Sequence, residues 1–156
     1  MTGRTSRRQL LGRIGTLAAV GALAGCSSDG GGGDGGDGGS NQPDWPSYLD
    51  DATEDSYEDL RGESEVTVGV YSNYFDPTKI RVDAGTTVTW EFESMGHNVK
   101  PNSQPDGGGL DGTEGGKFAT RDQGETYSAT LETTGTYTYF CGPHESVGMK
   151  GGIEVE

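Results

Sequence analysis

From Glu65 onward, apolar side chains recur at every second position of the chain. The pattern is clearest in residues 65–70, where three valines alternate with Glu65, Thr67 and Gly69. A strand with one buried face shows this period of two, because successive side chains point to opposite faces of a sheet. The same alternation predicts further strands at residues 79–83, 87–92, 127–132, 137–141 and 153–155.

Short turn signals separate these predicted strands. Asp83-Ala84-Gly85 and Thr133-Thr134-Gly135 are typical turn sequences, and no long helical pattern interrupts this region. A domain of about 90 residues is small but can bury a usable core. Several short strands in such a domain predict an all-β fold, a Greek-key β-sandwich or barrel.

The first 25 residues have the composition of an export signal. They contain four Arg and no acidic residue, and Ser6-Arg7-Arg8-Gln9-Leu10-Leu11 resembles a twin-arginine motif. The apolar stretch from Leu10 to Ala24 is too short to cross a membrane comfortably. Leu23-Ala24-Gly25-Cys26 looks like a lipobox, in which the signal is removed before the cysteine and the sulfur receives a lipid. An uncleaved N-terminal anchor is the alternative, and either arrangement places the rest of the chain outside the cytoplasm.

Two segments join the predicted signal to the β domain. Residues 26–42 comprise Cys26 and a tract made almost entirely of Gly, Asp and Ser, which predicts a disordered, flexible linker. The acidic extension that follows has scattered apolar side chains, and we expect a turn and a short helix that lay a few of them on the domain. The predicted organisation is therefore a signal at 1–25, a linker at 26–42, an extension at 43–64 and a β domain at 65–156.

The chain is strongly acidic, with a net charge of −14. Without residues 1–25, seven basic and 25 acidic side chains remain, so the net charge becomes −18. This charge argues against nucleic acid as a partner, because phosphate binding needs a basic patch, and it disfavours adhesion to anionic lipid. An acidic disordered protein is one interpretation, but the strand pattern favours a folded protein adapted to high salt, where counterions screen the repulsion.

The potential metal ligands of the predicted domain are few and form one pattern. The chain has two histidines, His97 and His144, and Cys141 is the one cysteine of this domain. The spacing C-x₂-H-x₄-M places Cys141, His144 and Met149 on one loop before the last predicted strand, whereas His97 follows an earlier strand. Two imidazoles and a thiolate form a trigonal copper site, with a thioether as a weak axial ligand. The sequence therefore predicts one copper ion per chain.

Each of these residues has a plainer explanation by itself. Cys141 could be a small buried side chain, Met149 could fill a core, and a lone histidine commonly lies at the surface or in a hydrogen bond. A disulfide between Cys26 and Cys141 would join a flexible tract to the end of the domain, where a cross-link is an unlikely means of stabilising the fold. The combination favours copper, because both histidines and the cysteine of the domain fall into one ligand pattern.

Several stretches of the predicted domain resemble those of plastocyanin-like cupredoxins. With the lipobox, the linker and the acidic surface, the whole chain is similar to the halocyanins, the archaeal membrane-attached members of that family. The stretches that carry the resemblance are Asp76-Pro77 through Trp90, Gly96-His97-Asn98-Val99, Gly124-Glu125-Thr126-Tyr127-Ser128 and Gly135-Thr136-Tyr137-Thr138-Tyr139-Phe140-Cys141.

The resemblance carries expectations about the copper site. It implies an eight-stranded or similar sandwich and one type 1 copper that transfers single electrons. By position, His97, Cys141, His144 and Met149 match the four ligands of the family. Asn98 matches a residue that connects the two ligand loops and hydrogen-bonds near the thiolate sulfur.

Three functions compete for a site of this kind: an electron carrier, a module that stores or delivers copper, and a copper enzyme. No histidine is left over for a catalytic copper with an open position, and a binuclear centre would need a second cysteine in the loop. A Cys–His hydrolase would leave Met149 and the second histidine unexplained. We therefore expect a blue copper electron carrier that is not an enzyme. It would act as a monomer, lipid-anchored at the extracytoplasmic face of the cell membrane, and exchange electrons with membrane redox proteins.

Overall fold

A computed structural model of the chain describes residues 42–156. The predicted signal and nearly all of the predicted linker, including Cys26, lie outside the described residues. Within residues 42–156, no helix has the length and apolar character needed to span a membrane.

Short strands make up most of the described part of the chain. The six strands that the period-two pattern predicts all form, at nearly the expected positions, and the all-β prediction is confirmed. The strands are β1 (Tyr57–Asp59), β2 (Glu65–Val70), β3 (Phe75–Asp76), β4 (Lys79–Val82), β5 (Thr86–Phe92), β6 (Lys100–Ser103), β7 (Thr126–Leu131), β8 (Gly135–Phe140) and β9 (Lys150–Val155). Two 3-10 helices accompany them, η1 (Ser47–Leu49) and η2 (Gly142–Val147).

The strands form two sheets. One has the order β1-β4-β9-β8-β6 and the other the order β3-β2-β5-β7. Strands β2 and β5 pair in parallel, as do β4 and β9, whereas β5 pairs with β7 and β8 with β9 in antiparallel fashion. Parallel neighbours need crossover connections, so the chain passes repeatedly from one sheet to the other. The predicted Greek-key sandwich is confirmed.

The apolar faces of the two sheets meet in an aromatic core. Trp90 of β5 and Tyr139 of β8 are fully buried and pack edge to face, with their ring centroids 5.3 Å apart. Phe75 of β3 contacts the same tyrosine ring at 4.9 Å. Such pairs contribute beyond the area they bury. Because Tyr139 lies two residues before Cys141, this packing fixes the strand that leads into the predicted ligand loop.

Three strands lie outside the sequence pattern. Strand β1 belongs to the acidic extension and pairs in parallel with β4, so the extension forms part of the five-stranded sheet. Strands β3 and β6 are likewise at sheet edges. An edge strand of two to four residues has few side chains that face the core, so its sequence carries no alternation and only pairing with its neighbour reveals it.

The Gly- and Asp-rich segment from Pro101 to Gly116 is an ordered loop after its first residues, which belong to β6. Leu110 is fully buried, and the Gln104 side chain hydrogen-bonds both its backbone N–H, at 2.9 Å, and its carbonyl, at 3.2 Å. The Lys100 ammonium group donates to the carbonyl of Gly115 at 3.0 Å. These contacts hold the loop against β6, so that the following segment, residues 117–119, lies beside the predicted metal site.

Candidate metal centre

The loop between β8 and β9 carries three of the predicted ligands. Cys141 is the first residue after β8, and Met149 is the last before β9. The His144 N–H donates to the Cys141 carbonyl at 3.0 Å, and the Met149 N–H donates to the His144 carbonyl at 3.1 Å. The Cys141 N–H donates to the Met149 carbonyl at 3.0 Å. Backbone hydrogen bonds therefore connect all three residues, which we call, with the residues between them, the ligand loop.

The other candidate histidine lies in the loop that connects the two sheets, between β5 and β6. His97 lies in the loop after β5 and forms an isolated bridge with Arg121. The Arg121 N–H donates to the His97 carbonyl at 2.7 Å, and the Gly96 N–H donates to the Arg121 carbonyl at 3.1 Å. This bridge holds the His97 backbone beside the ligand loop.

The two histidine rings and the cysteine meet at one end of the sandwich. Cys141 Sγ lies 3.6 Å from His97 Nδ1 and 3.4 Å from His144 Nδ1. All three donor atoms lie within 4.8 Å of one another. A metal bound about 2.0–2.3 Å from each donor in a trigonal plane requires donor separations of roughly 3.5–3.7 Å. The chemistry and the spacing of this donor set therefore fit a copper ion.

The site is enclosed on most sides. Cys141 and Met149 are fully buried, and His97 is 3% exposed, whereas His144 is half-buried. The two histidine rings lie 4.7 Å apart between centroids. Three of the predicted copper ligands, His97, Cys141 and His144, thus lie together, and the His144 imidazole is nearer to solvent than that of His97.

Asn98 connects the two loops that carry these residues. Its fully buried side chain donates from Nδ2 to the carbonyls of Lys117 and Ala119, both at 2.8 Å, and accepts the N–H of Gly142 at 2.7 Å through Oδ1. Gly142 is needed here because a Cβ at this position would collide with the Lys117 carbonyl oxygen. Segment 117–119 was not identified from the sequence, since backbone carbonyls leave no residue signature.

Burial changes the acidity of the candidate ligands. It raises the pKa of the Cys141 thiol, and hydrogen bonds from the backbone N–H groups of Asn98 and His144 act in the opposite direction. Burial, and then the nearby charge of His144, lowers the pKa of His97. The lowered pKa favours the neutral His97 imidazole, whose lone pair is free for a metal, and a cation bound beside the buried sulfur would favour release of the thiol proton to solvent.

A second group of residues that the sequence did not identify contacts the ligand loop from outside. We call residues 48–53 of the acidic extension the strap. The Thr53 N–H donates to the Gly148 carbonyl at 2.8 Å, and the Asp51 carboxylate pairs with Lys150 at 2.5 Å. No motif marks the strap, because its contacts lie almost one hundred positions further along the chain.

Type 1 copper proteins of the cupredoxin class combine a two-sheet β-sandwich with two imidazoles and one thiolate around a single metal position at its end. This chain has that combination of fold and donor set. Residues 63–156 match the family model described as copper binding proteins of the plastocyanin/azurin family. The chain belongs to that family.

Two relatives found by sequence agree with this assignment. The chain is 38% identical over 85 residues to a plastocyanin of Scenedesmus fuscus, and the match covers 53% of this chain and 86% of that protein. It is also 38% identical over 104 residues to a halocyanin of Natronomonas pharaonis, and this match covers 63% of this chain but only 60% of that protein. Among solved structures, the match to the crystal structure of amicyanin from Paracoccus versutus has 31% sequence identity and a TM-score of 0.47, and it covers 59% of this chain and 81% of the amicyanin chain.

Family and site together identify a copper electron-transfer protein. The predicted cofactor is confirmed, since the plastocyanin/azurin family binds copper and the residues His97, Cys141, His144 and Met149 fit one type 1 copper per chain. The resemblance to plastocyanin-like cupredoxins that the sequence motifs indicate is confirmed as well.

Proposed function

We propose that the protein is a membrane-tethered carrier of single electrons in which His97, Cys141, His144 and Met149 bind the copper. The metal supplies a Cu(II)/Cu(I) couple when bound. The observation that carries the proposal is the spacing of 3.4–3.6 Å between Cys141 Sγ and the two histidine Nδ1 atoms. Donors preset at these distances suit both oxidation states, so the protein has little to rearrange when an electron moves.

His144 is the proposed point of electron entry and exit. Its ring is half-buried, whereas His97 is enclosed. The large exposed apolar side chains of the described residues are Met95, Phe118 and Val147, and each lies on a segment that carries or adjoins the site. A redox protein that covers these side chains would exclude water and approach the His144 edge closely.

The enclosure of the site favours a carrier over a copper store or an enzyme. A protein that hands its metal to a partner needs ligands that the partner can reach, but Cys141 and Met149 are fully buried. A catalytic copper needs an open position for substrate, and both histidines of the chain already belong to the donor set.

The tether is proposed from the sequence motifs and from the similarity to a halocyanin. Residues 1–25 would direct export through the twin-arginine motif, and Cys26 would carry the lipid at the extracytoplasmic face of the cell membrane. Sixteen linker residues give a random coil a root-mean-square reach of roughly 20–24 Å. This reach would let a monomeric domain at 65–156, preceded by the extension at 43–64, swing between a membrane-bound donor and acceptor.

A visible spectrum of the copper-loaded protein tests the assignment. Cu(II) in this donor set should give an intense blue thiolate-to-copper band that ascorbate bleaches. Cys141→Ser should abolish the band because it removes the thiolate, while the matched change Cys26→Ser should leave it intact. A colourless Cu(II)-loaded wild type would refute the ligand set, and stopped-flow reduction by a membrane redox donor would separate a carrier from a copper store.

A further inference from the structure

We propose that the strap, through Asp51 and Thr53, positions the C-terminal half of the ligand loop and so holds His144 and Met149 ready for copper before the metal binds. The inference rests on the ligand set proposed above. The strap thereby acts on the metal site through the loop and not by contact with the metal.

The backbone at the end of the ligand loop is bound by one strap residue. The Thr53 N–H donates to the Gly148 carbonyl at 2.8 Å, and the Thr53 hydroxyl donates to the Val147 carbonyl at 3.0 Å. These are the two carbonyls that directly precede Met149. Thr53 therefore determines where the chain lies as it reaches the proposed axial ligand.

The strap and the loop are in backbone contact at Gly148. This residue has a φ of 89°, in the left-handed region that favours glycine. A Cβ there would collide with the carbonyl oxygen of Asp51 and would lie 3.2 Å from the Thr53 nitrogen. Glycine thus allows the strap to approach more closely than any side chain would permit.

Side chains reinforce the contact on both sides of Met149. Lys150 pairs with Asp51 at 2.5 Å, and its side chain is only 10% exposed. The same ammonium lies 4.4 Å from the ring centroid of Tyr48, whose hydroxyl donates to Glu145 at 3.1 Å. The residues that directly follow His144 and Met149 are therefore both held by the strap.

The two halves of the ligand loop have different supports. Asn98 binds the N-terminal half through Gly142, from within the domain. The C-terminal half receives its outer hydrogen bonds from the strap, and Lys117 adds one ion pair to Glu145 at 2.6 Å. Without the strap, the segment between His144 and Met149 would open more readily in the copper-free protein, because local opening costs least where few contacts oppose it.

Thr53→Val removes the hydroxyl bond and keeps the backbone N–H and the side-chain size. In the copper-free full chain, amide exchange at His144, Gly148 and Met149 should become about three- to tenfold faster, the effect of one lost hydrogen bond. Thr87→Val is the matched control, since the Thr87 hydroxyl makes a 2.9 Å bond to Thr130 on β7. Exchange in the ligand loop should not change in that variant.

An ion-pair comparison gives a second, independent variant. Asp51→Asn removes the charge that faces Lys150 without a change of size. Asp55→Asn is its control, because Asp55 pairs with Lys79 at the same 2.5 Å and the Lys79 side chain is similarly enclosed, at 11% exposed. Faster exchange in the ligand loop is expected for Asp51→Asn only.

The reduction potential distinguishes positioning from plain stabilisation. A looser loop lets Cu(II) approach its preferred tetragonal geometry, so Thr53→Val should lower the potential while Thr87→Val keeps the wild-type value. Equal loop exchange in the two threonine variants would overturn the proposal. So would faster exchange with an unchanged potential. A wild type that binds no copper would refute the proposed ligand set. Because amide exchange is measured without copper, faster exchange in the ligand loop of Thr53→Val would still show that the strap positions this loop.

Discussion

The Asn98 side chain should contribute a large share of the stability of the copper-free protein. Asn98→Ala removes three hydrogen bonds of 2.7–2.8 Å at once. The carbonyls of Lys117 and Ala119 lose a donor, and the buried N–H of Gly142 loses its acceptor. A buried polar group left unsatisfied costs about 1–3 kcal/mol. Because Lys117 and Ala119 lie at the surface, water partly replaces the donor to their carbonyls, so we expect a total loss near the lower end for three groups, about 3–4 kcal/mol. Against a typical folding free energy of about 5–15 kcal/mol, this is a severe change.

Urea unfolding of the copper-free full chain, followed by the combined fluorescence of Trp45 and the buried Trp90, measures the loss. Asn102→Ala is the control, because Asn102 is exposed and donates a single 2.9 Å hydrogen bond to Thr138. That variant should lose only about 0.5–1 kcal/mol. If the two variants lose the same free energy, Asn98 does not join the loops and the reasoning from its three partners is wrong.

The other predictions concern the axial ligand, the anchor and salt. Met149 is the proposed axial ligand, a weak donor that would support Cu(II), so voltammetry of Met149→Leu should show a higher reduction potential, whereas Met149→Gln supplies an oxygen donor and should lower it. Potentials that do not move, or that move in the reverse order, would exclude Met149 as a ligand. Cys26→Ser should release the protein from membranes or leave a heavier precursor, and mass spectrometry of membrane-bound protein should find no unmodified Cys26. With the net charge of −18 that remains without residues 1–25, the melting temperature should rise from low to molar KCl; a flat or falling trend would reject adaptation to salt.

The central strands and the ligand spacing could be predicted because each is a local property of the chain. Strands such as β2 and β5 have one face in the core and the other in solvent, so their sequences alternate along the chain. The spacing from Cys141 to Met149 is likewise contained in nine consecutive residues. The types of donor in this segment already indicate a copper site, since a thiolate, an imidazole and a thioether together suit copper.

The contacts that hold the site could not be predicted in the same way. Asn98 is recognisable only through the family resemblance, and its partners are backbone groups that any residue could supply. The strap has no pattern at all, because Thr53 acts through an N–H and a hydroxyl on carbonyls far along the chain. Strand β1 was missed for a related reason, since its pairing with β4 and not its own composition makes it a strand.

The sequence alone predicts the all-β fold and the copper cofactor, because strand periodicity and the types of donor residue are local features of the chain, and its acidic charge follows directly from composition. The folded structure was needed to show that the donor atoms of His97, Cys141 and His144 lie within 4.8 Å of one another and that His144 is the more exposed imidazole. It also decided that the acidic extension packs on the ligand loop. These properties depend on distances between segments that are remote in sequence, and such distances arise only when both sheets pack around the common core.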